Sequence, residues 1–118
     1  MKQIITLLFL LFAVSTISAA SADSLGVSDN YPVLRQNYPN PFNPTTEIKY
    51  HVFQNGLIKL TIFNLVAQEV AILVNRYHEA REDDYSVLFD ASPLNAGVYI
   101  YQLETSGYIT TKRMILLK

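Results

Sequence analysis

Three prolines fall within six residues, at positions 39, 41 and 44 of the stretch QNYPNPFNPTT. Each proline holds φ at about −65° and lacks an amide donor. Each also pushes its predecessor, Tyr38, Asn40 or Asn43, out of the helical region. Residues 38–44 are therefore extended or turned, and they cannot occupy the middle of a sheet. Such a segment fits a stiff edge that covers the end of a β fold, with Tyr38 and Phe42 plugging the core. It also fits a preformed recognition surface, because an extended proline-rich segment loses little entropy on binding.

After the prolines the chain is a series of short runs rich in Ile, Val, Tyr, Phe and Thr, separated by turn residues and without a convincing helix. That spacing predicts an all-β sandwich or barrel of about six to seven strands. TEIKYHVF (46–53) places Ile48, Tyr50 and Val52 on one face and Glu47, Lys49 and His51 on the other. LIKLTIFN (57–64) does the same with Ile58, Leu60 and Ile62, and Asn55-Gly56 between the two runs predicts a hairpin. QEVAILVN (68–75) is a third strand, and RYHEAREDD (76–84) is expected to be a solvated loop. YSVLFD (85–90), GVYIYQLET (97–105) and YITTKRMILLK (108–118) complete the set, the last two joined through Ser106-Gly107. Tyr99, Tyr101 and Leu103 are the expected core face of the fifth run; Ile109, Thr111, Ile115 and Leu117 are that of the sixth. Asn95-Ala96-Gly97-Val98-Tyr99 has the pattern of a tyrosine corner, with Gly97 allowing a close backbone approach and the Tyr99 hydroxyl bonding back upstream. It favours an immunoglobulin-like antiparallel β-sandwich over a closed barrel.

Residues 1–22 read as a signal peptide. Lys2 precedes an apolar run, Ile4 to Val14, and small residues then offer cleavage after Ala22, with Ala20 the alternative. The run is shorter than the roughly 20 residues a spanning helix needs, and no cysteine is present to carry a lipid anchor. Residues 23–35 are polar and aperiodic, an expected linker or arm. The net charge is −1, and removing Lys2 with the leader leaves −2. That balance supports neither a nucleic-acid partner nor a polybasic membrane role. An exported domain without cysteine holds together by packing alone.

The run LRQNYPNPFNPTTEIKY, followed by FDAS, GVYIYQL and the terminal TKRMILLK, closely resembles the type A C-terminal sorting domain of the type IX secretion system of Bacteroidetes. The likeness covers residues 33–118, with the domain proper placed at 36–118. The resemblance implies an immunoglobulin-like sandwich that acts as an export address. Sec delivers such a protein to the periplasm, the outer-membrane type IX translocon binds it, and a cell-surface sortase typically removes the domain as cargo is released or attached to the surface. Positions matching the family's motifs are Asn37, Pro39, Pro41, Phe42, Pro44, Gly97, Val98, Tyr99, Lys112 and Lys118. Two positions depart from the pattern. Ala67 stands where glycine is usual and is expected to strain its turn, and Asp83 or Asp84 replaces a glycine more mildly. With only residues 23–35 between leader and domain, no cargo is present; a remnant, a piece of a longer gene and a small secreted module all fit.

Catalytic chemistry is not expected. His51 and His78 lack ligand spacing and are read as solvated. Glu82-Asp83-Asp84 lacks the spaced oxygens of a calcium site, and Asp90 is placed as the cap of the next turn. Neither a phosphate loop nor converging polar groups for a cofactor or small-molecule substrate can be found. The expected function is a non-enzymatic secretion signal read through the folded surface and last strand; a structural or adhesive immunoglobulin-like module is the alternative.

Overall fold

The computed structural model describes residues 31–118. The leader, its cleavage sites at Ala20 and Ala22, and the arm up to Asn30 lie outside the described residues. Seven strands follow: β1 (Val33–Leu34), β2 (Thr45–His51), β3 (Gly56–Phe63), β4 (Glu69–His78), β5 (Tyr85–Asp90), β6 (Gly97–Thr105) and β7 (Tyr108–Leu116). They form two antiparallel sheets, ordered β1-β2-β5 and β4-β3-β6-β7, and among the described residues there is no helix.

The alternation in the sequence sets the core. Ile48 and Tyr50 of β2, Ile58, Leu60 and Ile62 of β3, and Tyr99, Tyr101 and Leu103 of β6 are all buried, as expected from their spacing. One apolar cluster draws them together with Phe42, Phe89, Met114 and Leu116, so the two sheets share a single core.

Long-range pairing overturns several expectations. Asn55-Gly56 is not a hairpin: β2 pairs with β5 and β3 with β4 and β6, so residues 52–55 carry the chain from one sheet to the other. The Asn55 side chain accepts the Ala80 amide at 2.8 Å, which anchors the crossing. The expected loop 76–84 begins later than predicted. Arg76, Tyr77 and His78 continue β4, with His78 opposite Gly56, because the start of β3 needs a ladder partner. The expected arm also shortens, since Val33 and Leu34 pair with His51 and Tyr50 and Leu34 is buried.

The last strand presents the opposite face from the one expected. Met114 and Leu116 are buried, whereas Ile109, Ile115 and Leu117 are 54%, 39% and 50% exposed, and Thr111 is exposed as well. Register is the reason. Tyr99 stands opposite Met114 and Tyr101 opposite Lys112, and residues opposite each other share a face. Lys112, expected in water, is consequently half-buried on the core side of an edge strand, a position where an inward charge discourages edge-to-edge pairing.

Turn chemistry matches the sequence in part. Ser106 and Gly107, at φ 23° and 81°, make the two-residue hairpin between Thr105 and Tyr108. Gly97 has φ 153° but no atom lies within 4 Å of where its Cβ would be; backbone conformation, not close approach, asks for glycine. Neither Asp83 nor Asp84 has a positive φ, while Ala67 does, at 67°. An L side chain in that region costs about 1–2 kcal/mol, and Ala67 is exposed, so nothing packed is lost with its methyl. Ala67→Gly therefore raises unfolding free energy by about 1 kcal/mol, measured by urea denaturation; a loss of stability contradicts the account.

Candidate functional site

The proline segment and the C-terminal strand, far apart in sequence, meet in the fold. The Phe42 amide donates to the Ile115 carbonyl at 2.9 Å, and the Leu117 amide donates to the Phe42 carbonyl at 2.8 Å, a parallel bridge centred on Phe42 and Leu116. Side chains extend the contact. Gln36 Nε2 donates to the Arg113 carbonyl at 2.7 Å, and Asn40 Oδ1 accepts the Ile115 amide at 2.9 Å. The edge of β7 away from β6 is thus covered from Arg113 to Leu117 by residues 36–42. An uncovered edge is a template for unwanted pairing.

The same segment is stitched to the other sheet. Tyr38 and Glu47 exchange backbone hydrogen bonds at 2.9 Å, and the Ala91 amide donates to the Pro44 carbonyl at 2.8 Å. Pairing with Glu47 turns the Tyr38 ring to the solvent face, where it is 80% exposed, so it does not plug the core as expected; Phe42, 2% exposed, does. The peptide bonds preceding Pro39, Pro41 and Pro44 are cis.

Asn37 is the hub of this arrangement. It is 2% exposed, and its Nδ2 donates to the Pro39 carbonyl at 3.2 Å and to Thr46 Oγ1 at 3.0 Å. Thr46 Oγ1 in turn donates to the Pro39 carbonyl at 2.8 Å, and Asn37 Oδ1 accepts from Gln36 Nε2 at 2.7 Å. The Asn37 amide donates to the Tyr101 hydroxyl, which donates onward to the Arg35 carbonyl, both at 2.8 Å. Burial pushes the Tyr101 hydroxyl up to about 12, partly offset by the Asn37 amide. No buried side-chain nitrogen or oxygen is left without a partner among the described residues.

Among the residues matched to the motif, Asn37, Pro39, Pro41, Phe42 and Pro44 thus lie along one strip. Val98 stands opposite Ile115 beside that strip. Gly97 and Tyr99 flank Val98, and the Tyr99 hydroxyl donates to the Asn95 carbonyl at 2.7 Å, the geometry expected of the corner. Lys112 lies on β7, and Lys118 Nζ donates to the Ser92 carbonyl at 2.9 Å. The Ser92 amide donates to Asp90 Oδ1 at 2.9 Å, the capping role expected of Asp90. The polar roles of Gln36, Asn40, Thr46 and Tyr101 escape sequence reasoning, since their partners are distant in the chain.

Neither histidine is solvated as expected. His51 Nδ1 lies 2.9 Å from Asp84 Oδ1, and Arg35 Nε lies 2.9 Å from Asp84 Oδ2. The Arg35 hydrogen bond, then that of His51, hold the Asp84 carboxyl below its ordinary range. His78 is 2% exposed, and its ring packs against those of Tyr50 and Tyr85, which also stack on each other. Its Nδ1 is 3.1 Å from the Arg76 carbonyl, which can only accept, so Nε2 accepts from the Tyr50 hydroxyl at 2.8 Å. Burial, with the charges of Arg76 and Arg81, lowers the His78 pKa from 6.5.

The unfolded chain therefore takes up a proton near the ordinary histidine value while folded His78 resists it. Unfolding free energy falls as pH drops below about 6.5 and levels off only below the folded pKa. His78→Gln flattens that slope in denaturation curves taken between about pH 7 and 5; an unchanged slope removes His78 as its source.

Among the described residues no three His, Cys, Asp or Glu side chains are grouped to hold a metal ion. The site is a polar and apolar stitch between the proline segment and the last strand. The described residues thus form a two-sheet β domain closed by its own proline lead-in and final strand. The family described as secretion system C-terminal sorting domain matches residues 36–117. The chain belongs to that family. No curated protein and no solved structure matches it.

Proposed function

We propose that this chain is a non-enzymatic export address, recognised as a folded domain by the outer-membrane type IX translocon after Sec-dependent passage to the periplasm and removal of residues 1–22. Family membership supports a sorting role. The observation that carries the folded-surface reading is the bonding of Phe42 and Asn40 to Ile115 and Leu117. The motif's two halves are one object, so a receptor that grips the C-terminal strand meets the proline strip beside it. The sheet order supports an immunoglobulin-like arrangement, with β6 in the place of strand F and its tyrosine corner.

The test places residues 24–118 behind a signal peptide and a reporter in a host with this system, where the fusion reaches the medium. Deleting Thr111–Lys118 is expected to strand it in the periplasm, but that deletion also removes Met114 and Leu116 from the core. Trimming only the exposed Lys118 keeps Met114, Leu116 and the Leu117–Phe42 bond in place and so separates recognition from folding. Export of the trimmed fusion is expected to fall at least about tenfold, equivalent to about 1.4 kcal/mol of recognition energy, with thermal stability nearly retained. Undiminished export of a folded, trimmed fusion favours the adhesive module instead. The length of the secreted reporter shows whether the sortase cuts this chain.

A further inference from the structure

The four-stranded sheet carries two hollows, one on the face turned away from the core and one where that face meets the covered edge of β7. One, of about 280 Å3, is lined by Phe63, Leu65, Ala67 and Ile100 among others. The second, of about 310 Å3, is lined by Gln36, Asn40, Val98, Lys112, Arg113 and Ile115. Register joins them. Phe63 stands opposite Ile100, and Ile100 opposite Arg113, so an apolar floor leads across three strands to a cation.

That cation is free to bind. Arg35–Asp84 and His51–Asp84 are the ion pairs among the described residues, and neither involves Lys112 or Arg113. At the opposite end of the row, Glu69 is the partner of Phe63, which disfavours an acid there and gives the groove a direction. The apolar end is held open by a rigid turn: Asn64 Oδ1 accepts the amides of Val66 and Gln68 at 3.1 and 2.9 Å. Leu65 and Val66 are left 66% and 74% exposed.

We propose that this groove docks an extended peptide segment of a partner protein, carrying a bulky apolar side chain at one position and a carboxylate four residues further on. Charge complementarity selects the acid at the Arg113 end. Spacing follows from geometry: two inter-strand gaps separate Phe63 from Arg113 by about 10 Å, and an extended chain rises about 3.3 Å per residue. Side chains two apart reach only about 7 Å on the same side, whereas those four apart reach about 13 Å, enough to span the row and meet the guanidinium. The proposal rests on the reading of the domain as a surface recognised by protein, and it names the chemistry of what does the recognising.

The probe is a random heptapeptide display library selected on the immobilised full chain. Wild type is expected to enrich an aromatic or aliphatic residue followed at the fourth position by Asp or Glu, at least about tenfold over the input. Arg113→Glu, at an exposed position on the outer face, exchanges the acid for Lys or Arg at the same spacing, and Arg113→Gln abolishes the charge preference. Ile100→Lys loses the apolar anchor. Selection without this spacing, no selection by wild type, or an acid preference that survives Arg113→Glu overturns the groove. Because the selection involves no secretion machinery, its failure leaves the export result standing, and a fusion retained in the periplasm leaves a clean peptide motif standing.

Discussion

Phe42→Ala is expected to lower unfolding free energy by about 3–5 kcal/mol, the usual cost of emptying a buried aromatic site. The ring is 2% exposed and lies 6.2 Å from that of Phe89, centroid to centroid. It fills the junction of both sheets, with its own backbone on β7 and Phe89 on β5. A small domain has about 5–15 kcal/mol in all, so the loss is a large share of the total. The variant's backbone can still bond to Ile115 and Leu117, but a buried ring no longer pins it against both sheets. Hydrogen exchange at the Leu117 amide is accordingly expected to accelerate more than at Met114, which pairs inward with β6. A denaturation midpoint shifted by less than about 1 kcal/mol equivalent would place Phe42 outside the core.

Tyr101→Phe is expected to cost about 2–3 kcal/mol, because it leaves two groups, the Asn37 amide and the Arg35 carbonyl, without their partner in a buried setting. Tyr99→Phe removes one bond, to the Asn95 carbonyl at the rim, and is expected to cost about 1 kcal/mol. The order of the two is the discriminating result. Sequence pattern draws the eye to Tyr99 as the corner residue, yet Tyr101 ties β6 to the lead-in that covers β7. Chemical denaturation of both variants measures the difference, and a larger loss for Tyr99→Phe would refute the hub at Asn37. Far-ultraviolet circular dichroism at 25 °C checks that each variant is folded before denaturant is added.

The reversed face of β7 is the one departure that the sequence itself could reveal. Ser106-Gly107 is recognisable as a two-residue turn, and counting back from Thr105 opposite Tyr108 puts Tyr99 opposite Met114. Choosing Tyr99 as core therefore requires Met114 and Leu116 to be core as well. The apolar residues of YITTKRMILLK fall on both parities, and a slip of one residue reverses every side chain, so periodicity alone does not choose. His78 is a different case. Its neighbours in sequence are charged, and only Tyr50 and Tyr85, brought from the other sheet, make a dry and hydrogen-bonded place for it. Likewise Asp84 looks like part of an acidic run until Arg35 arrives from 49 positions away.

By itself, the sequence determined the class of fold, the core faces of β2, β3 and β6, the tight turn at Ser106-Gly107 and the exclusion of residues 38–44 from helix or central strand. Those properties follow from φ restriction and side-chain alternation, which act over a few residues. Only the tertiary structure decided which sheet each strand joins, why Phe42 is buried while Tyr38 is not, and that the proline lead-in lies hydrogen-bonded along the final strand. Partner choice and edge coverage depend on backbone groups far apart in the chain, which no local period encodes.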